Sequence, residues 1–400
     1  MVTVTRDPYR YRVLPGESYD GVVQVSAEGF YGSGVLLNGG RAVLTSAHVI
    51  EGSGDVTVRF DTPSGRISVP ASQYVLHPLF DTANGDGDGD LALVWLVEPG
   101  PISAKRSTLY RDSDEVGSDI TLVGYGLPGD GLSGYVESAR VAPTKYFAEN
   151  RFDTTGEVMK DALGGGIAWD PLLDSQLIID FDNGNPENDA LGVLMGLHDA
   201  GRGVMEGLIA PGDSGGPAFI EDKVVGVATY TASFNRNGQS PDINDVLNSS
   251  FGEIASFQRV SYYQQWIDQS LRAADPDSPA RREDVETTIP EGDIGTSLVY
   301  FLLEFNGVRD HSDQWLSVDY ATRNGTATSG EDYLPVADTL ILYPGERQAT
   351  IAVEVIGDDI PEADEMLYLD VFNPVGGSFG EGVAQLTAVR TLIDDDGWMA

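Results

Sequence analysis

The chain of 400 residues has no cysteine, so disulfides cannot staple it and metal ions are the available substitute. Basic residues are scarce: 24 Lys and Arg face 63 Asp and Glu, for a net charge of −39. That balance excludes nucleic acid and anionic membranes as partners. It has two explanations, calcium binding or a surface adapted to high salt, which are compatible. No stretch approaches the roughly 18 consecutive apolar residues of a membrane span, so no membrane insertion is expected. Met1 to Asp20 is polar, carries Arg6, Arg10 and Arg12, and lacks the apolar centre of a secretion signal. Histidine is scarce too, with only His48, His77, His198 and His311.

What is present is enough for two packed domains: 41% of residues are hydrophobic, and the length exceeds one typical core. The most informative stretch is Gly212-Asp213-Ser214-Gly215-Gly216-Pro217, followed by the β-prone Ala218 to Ile220. A glycine-rich turn of this kind can expose a serine hydroxyl and aim the N–H groups of Gly212 and Ser214 at one place. Acyl transfer needs such a nucleophile beside an anion-stabilising pocket. The candidate base is His48, in the apolar run Val43 to Ile50. Taken alone, that histidine would read as a satisfied core residue. His77 precedes Pro78 and His198 lies in a polar stretch, so both read as loop residues. The candidate orienting acid is Asp90, which ends Asn84-Gly85-Asp86-Gly87-Asp88-Gly89-Asp90 and opens the strand-like Leu91 to Leu96. Asp86 and Asp88 compete for that role, but their flanking glycines favour solvated or metal-bound side chains.

Five boxes in order resemble the chymotrypsin/trypsin family of serine proteases. They are Thr45-Ser46-Ala47-His48, Asp90-Leu91-Ala92-Leu93, Val123-Gly124-Tyr125-Gly126, Gly212 to Pro217, and Phe257 to Ile267. The resemblance implies an all-β fold of two six-stranded antiparallel barrels over residues 20–275, with the site in the cleft between them. It also implies catalysis without a cofactor. Ser214 would be the nucleophile, His48 the base, Asp90 its orienting acid, and the N–H groups of Gly212 and Ser214 the oxyanion hole. Asp213 would pair with an amino terminus, as the family's aspartate does after activation cleavage. No Ile-Val-Gly-Gly start is present. Either cleavage at Arg12–Val13, within a propeptide-like N-terminal segment 1–19, supplies that terminus, or Asp213 meets an internal partner. Leu208 stands six residues before the serine, where trypsin-like members carry an acid. With Thr229, Tyr230 and Thr231 as the pocket wall, this implies a small or medium apolar P1 residue in protein or peptide substrates.

His48 and Asp90 are 42 residues apart, as the family has it, but Asp90 and Ser214 are 124 apart, which is long. The extra chain is expected within residues 145–205, including Gly164-Gly165-Gly166 and the polar run from Asp180 to Asp189. Asp180, Asp182 and Asp189 could wrap Ca²⁺, which takes six to eight oxygens. Two readings stand side by side, a calcium loop and a solvated acidic loop.

After a proline-bearing linker at 276–283, short alternating strands argue a β-sandwich over 284–397. Asp319-Tyr320-Ala321-Thr322, Gly325-Thr326-Ala327, Asp332-Tyr333, Pro344-Gly345-Glu346, Asp358 to Glu362 and Leu392 to Asp396 resemble the Calx-β domain, an immunoglobulin-like module of sodium–calcium exchangers and bacterial surface proteins. The family's calcium ligands would fall on Glu291, Asp332, Asp358, Asp359, Glu362, Asp394, Asp395 and Asp396. One acid usual in the family is replaced by Gly357. The expectation is a secreted or cell-surface serine endopeptidase with structural Ca²⁺, whose Calx-β module stabilises or tethers it to a surface or matrix. A calcium-dependent adhesive protein with a vestigial protease domain is the alternative.

Overall fold

The computed structural model describes residues 1–83, 87–136, 143–164, 168–199 and 201–396. Asp86, Gly165 and Gly166 lie outside the described residues. The chain divides into two compact units. The first holds Met1–Leu37 and Arg41–Trp266; the second holds Ile267 onward with Asn38–Gly40. The division falls inside the helix Val260–Ala273, upstream of the linker expected at 276–283.

In the first unit, six strands close a barrel: β1 (Val22–Ala27), β2 (Phe30–Leu36), β3 (Ala42–Thr45), β4 (Val56–Thr62), β5 (Gly65–Leu76) and β6 (Ala92–Leu96). They hydrogen-bond in the order β1-β2-β3-β6-β5-β4, all antiparallel, and β4 returns to β1. The alternation that makes β4 a strand is visible in its burial: Val56, Val58, Phe60 and Thr62 point inward. Val23, Val25, Leu36, Val43, Val58, Phe60 and Val94 fill the interior.

Seven further strands follow: β7 (Asp119–Gly124), β8 (Tyr146–Arg151), β9 (Thr154–Thr155), β10 (Gln176–Asp180), β11 (Pro217–Ile220), β12 (Lys223–Ala232) and β13 (Ile254–Arg259). They pair in the order β8-β7-β11-β12-β13-β10-β9, and Thr108–Leu109 joins β12 in parallel. Among the described residues this path stays open, so the second half is a half-barrel beside a closed first barrel. Leu122, Phe152, Leu177, Ile179 and Phe257 form its core.

The first residues belong to that core. Val2–Thr3 pairs in parallel with Gly129–Asp130 and antiparallel with Gly207–Leu208. Met1, Val2 and Tyr11 are buried, Arg12 bridges Tyr146, and Val13 N–H donates to Lys145 O. Within the segment 1–19, Met1, Val2 and Tyr11 join the second half's core, while residues 6–10 and 14–18 are exposed.

The second unit carries a five-stranded sheet in the order Thr288–Pro290, Gln385–Ile393, Glu365–Val375, Leu316–Asn324, Ala337–Leu342. A two-stranded sheet pairs Gly295–Glu304 with Gln348–Gly357. Val299, Phe301, Ile351 and Val353 of the latter share one core with Val318, Leu340, Leu369 and Leu392 of the former, as in a sandwich. No helix of the described residues is long and apolar enough to cross a membrane.

Candidate active site

Strand β3 ends at Thr45, and a short 3-10 turn, Ala47–Val49, presents His48 with its side chain 37% exposed. Asp90, 1% exposed, precedes β6, the neighbour of β3. Its Oδ2 lies 2.7 Å from His48 Nδ1, and its Oδ1 accepts the His48 backbone N–H at 2.9 Å. One carboxylate thus holds both the ring and the main chain of the histidine. Burial disfavours the charged imidazole, but the hydrogen bond and charge of Asp90 outweigh it and hold His48 above its ordinary value.

The approach to Asp90 is pinned from below. Asp88 was expected to be solvated or metal-bound. It is instead buried, accepting Leu172 N–H at 2.8 Å, Ser175 Oγ–H at 2.6 Å and Gln176 Nε2–H at 2.9 Å. Gly89 N–H donates to Gln258 Oε1 and to Tyr263 Oη. Gly89 has φ +68°, and a Cβ there would stand 2.7 Å from His77 Nδ1. The alternating glycines therefore let acidic residues turn inward. His77 is itself no open-loop residue: it is buried against the rings of Tyr263 and Trp266, and burial pushes its pKa down to about 4.

The serine turn is built by interleaved bonds. Asp213 N–H donates to Ala210 O, Gly215 N–H to Ala228 O and Gly216 N–H to Asp213 O. Gly212 N–H and Ser214 N–H carry no hydrogen bond among the described residues, which leaves both donors for a ligand. Ser214 O accepts Ser33 N–H at 2.7 Å. A Cβ on Gly215 would stand 2.2 Å from Thr45 Oγ1 and 2.8 Å from Ser46 N. The turn is thus pressed against the strand end that leads into His48. Among the described residues the Ser214 hydroxyl itself makes no hydrogen bond; such contacts commonly tighten only when substrate binds.

Asp213 is 1% exposed and fully engaged. Its Oδ2 meets the amino group of Met1 at 2.7 Å and Ala210 N–H at 2.9 Å; its Oδ1 accepts Gly126 N–H at 2.8 Å. The Met1 amino group also donates to Leu127 O at 3.0 Å. In this structure the amino group that meets Asp213 is that of Met1. Gly124 and Gly126 are glycines for a steric reason: a Cβ on either would fall about 2 Å from an Asp213 oxygen. Residue 1's part was missed because nothing in Met1-Val2-Thr3 resembles the family's start.

The expected pocket residues fall in two places. Leu208 is wholly buried, paired with Val2 in the core. On β12, Thr229 accepts from Gln258 Nε2, half-buried Tyr230 donates to Gln176 Oε1 at 2.8 Å, and Thr231 is partly exposed.

Acidic clusters occur in both units. Glu291, Asp394 and Asp396 bring carboxylate oxygens within 4.8 Å of one another, as do Asp332, Glu362 and Glu365. Glu365 was not among the expected ligands. Its place beside Asp332 arises from strand packing that sequence spacing does not reveal. Asp358, Asp359 and Asp395 fall outside these triplets; Asp358 caps Ile360 N–H and Asp395 accepts Gly292 N–H. Burial first, then the charges of Asp358 and Asp394, push Glu291 up to about 7. Asp396 Oδ2 and Glu365 Oε2 are buried without a partner. All-oxygen sets with orphaned buried oxygens fit a hard cation such as Ca²⁺. In the first unit, oxygens of Asp180, Asp182 and Asp189 also gather within 4.8 Å. Burial and mutual repulsion raise Asp182 to about 10 and Asp180 well above the usual carboxylate range.

Comparison with known proteins agrees with both halves. A family model described as Trypsin matches residues 12–150, and one described as Calx-beta domain matches 307–396. The rat sodium/calcium exchanger 2 is 38% identical over 92 residues, 20% of this chain and 10% of the exchanger. The Drosophila melanogaster sodium/calcium exchanger Calx is 36% identical over 85 residues, 20% of this chain and 8% of that one. The chain thus spans about a tenth of the length of the curated relatives it matches. Among solved structures, mouse neuropsin, titled a serine protease, aligns with a TM-score of 0.47 and 17% identity over 65% of this chain and 98% of its own.

Proposed function

We propose that this chain, a trypsin-family domain followed by a Calx-beta domain, is a serine endopeptidase acting through an acyl-enzyme. The observation that carries the reading is the double hold of Asp90 on His48, in the same unit as a serine turn whose two free N–H groups alternate with bonded ones. Ser214 Oγ attacks the peptide carbonyl while His48 Nε2 takes its proton. Asp90 keeps Nδ1 protonated and stabilises the imidazolium. The negative oxygen of the tetrahedral intermediate accepts from Gly212 and Ser214 N–H. His48 then returns the proton to the leaving amine, and water repeats the sequence on the acyl-enzyme.

The P1 preference for small or medium apolar side chains over Arg or Lys rests on sequence position alone: Leu208 stands six residues before Ser214, where trypsin-like members carry an acid. In the Calx-beta domain, Glu291, Asp394 and Asp396 and, separately, Asp332, Glu362 and Glu365 would hold Ca²⁺, which supplies the positive charge those buried oxygens lack. This calcium is structural, and the domain steadies or tethers the enzyme. A secreted or cell-surface location is part of the proposal and rests on that use of calcium. Hydrolysis of a peptide library by the full chain tests it. Cleavage lost in Ser214→Ala and concentrated after apolar residues is expected; no turnover by folded protein, or cleavage unaffected by Ser214→Ala, refutes it.

A further inference from the structure

We propose that Asp180, Asp182 and Asp189 form a calcium site in the protease unit, separate from the acidic loops of the Calx-beta domain. The three carboxylates come from three different pieces of backbone. Asp180 ends strand β10, opposite Ile254 of β13. Asp182 opens the following loop, its N–H fixed by Glu206 Oε1 at 2.6 Å. Asp189 caps the short helix Ala190–Met195 by accepting Gly192 N–H. All three are 4–5% exposed, and an oxygen from each lies within 4.8 Å of the others.

Crowding alone would not make a site. The second observation is Asp182 Oδ1, buried and without any hydrogen-bond partner. The other two carboxylates have oxygens placed by protein donors: Asp180 Oδ2 by Leu191 N–H at 2.7 Å, and Asp189 Oδ2 by His198 Nδ1 at 2.7 Å. Two members are therefore oriented, and the third keeps a buried oxygen unsatisfied. Among the described residues no Lys or Arg pairs with Asp180 or Asp182; Arg151 and Arg202 pair with Asp119, and Arg151 with Asp199. Leaving Asp180 and Asp182 ionised and unpaired beside Asp189, which already meets His198, is costly, and a divalent cation compensates the set at once. An all-carboxylate set is hard and selects Ca²⁺ or Mg²⁺ over softer metals. Ligands spread over a strand end, a loop and a helix cap give an adaptable shell, which suits Ca²⁺ better than the strict octahedron of Mg²⁺. His198 would orient Asp189 from outside that shell.

The position gives the site a purpose. It gathers the chain that lengthens the Asp90–Ser214 interval, and it anchors β10 at one end. At the other end of β10, Gln176 donates to Asp88, two residues from Asp90. The ion would fasten an insertion without a disulfide.

The test uses the full chain carrying Ser214→Ala, which prevents self-digestion, stripped of metal and titrated with Ca²⁺. Hydrogen exchange reads residues 181–192 directly. At a hundredfold excess of Ca²⁺ over its dissociation constant, exchange there is expected to slow about a hundredfold if opening releases the ion. Asp182→Asn should abolish that slowing and lower bound calcium, counted by mass spectrometry, by one ion per chain. Glu291→Gln with Asp394→Asn should leave slowing at 181–192 intact while removing it near 291 and 394. Unchanged exchange at 181–192 in the unmutated loop, or full calcium stoichiometry in a folded Asp182→Asn protein, overturns the proposal. Slowing by Mg²⁺ at equal concentration would overturn the assignment to calcium.

Discussion

Asp213→Asn is the substitution with the most to say about how the catalytic turn is held. The carboxylate accepts from three groups in a site from which water is excluded: the Met1 amino group, Ala210 N–H and Gly126 N–H. Asparagine keeps the shape and one acceptor oxygen, but loses the charge and turns an NH₂ toward a donor. Breaking a buried ion pair from one side costs about 3–5 kcal/mol, because the ammonium stays behind unpaired. The chain can reduce that cost by releasing the proton of the Met1 amino group, which burial already favours, or by letting residue 1 leave its pocket, which removes Met1 and Val2 from the core. The Ala210–Gly216 turn then loses its anchor, which displaces Gly212 and Ser214 N–H, the proposed oxyanion donors. Each misplaced oxyanion donor costs about a hundredfold to a thousandfold in kcat. The assay pairs thermal unfolding with kcat/KM on a peptide ester and titration of competent serines by a phosphonate. Asp213→Asn should lose stability, activity or both by these amounts. Wild-type stability and turnover in Asp213→Asn would refute the reasoning.

Other expectations follow from the same contacts. On the proposed mechanism only neutral His48 can take the serine proton, and Asp90 holds its pKa above the ordinary 6.5, so kcat/KM should rise with pH through a midpoint above 6.5. Asp90→Asn removes the upward pull and leaves burial, which moves the midpoint below 6.5. Turnover should fall about ten-thousandfold, the loss expected when a triad aspartate becomes asparagine; a pH–rate profile checks both, and an unmoved midpoint counts against the assigned geometry. Asp88→Ala strands Leu172 N–H and Gln176 Nε2, at about 1–3 kcal/mol each, and should lower stability in urea unfolding, with partial rescue by Asp88→Asn. Gly89→Ala should be worse than its size suggests, because φ is +68° and the new methyl meets His77; loss of both stability and kcat is expected, and unchanged values would argue against the pinned approach.

The features that composition and spacing made legible are those whose chemistry is local. His48 follows a strand end, Asp90 precedes one, and the serine turn carries the glycines its bonds require; each is written in a handful of adjacent residues. The second unit's sheets were readable because their strands alternate; the first unit's barrel was expected from the family resemblance alone, and its second half stays open among the described residues. Less legible were features made by parts far apart in the chain. Asp88 looked exposed because glycines flank it; only the folded chain shows Leu172, Ser175 and Gln176 arriving to meet it. Glu365 joins Asp332 across the sandwich, at a spacing no motif encodes.

Residue 1 is the sharpest example of this division. Asp213 announces that it wants an amino group, since a buried carboxylate held by two backbone N–H groups still has a charge to match. The sequence offers no sign of which amino group, because the answer depends on whether residues 1–13 can pack. They can: Val2 pairs with Leu208 and Gly129, Tyr11 is buried with its hydroxyl donating to Val204 O, and Gly124 and Gly126 leave space at Asp213. Leu208, read from the sequence for substrate preference, is thereby also a structural partner of the first strand. The proposed pocket role and the packing role are separable. Substituting it by Asp should disrupt the Val2 pairing and cost activity on every substrate before it creates any preference for Arg or Lys. A Leu208→Asp enzyme of wild-type stability that cleaves after Arg or Lys would show that the pocket reading alone is sufficient.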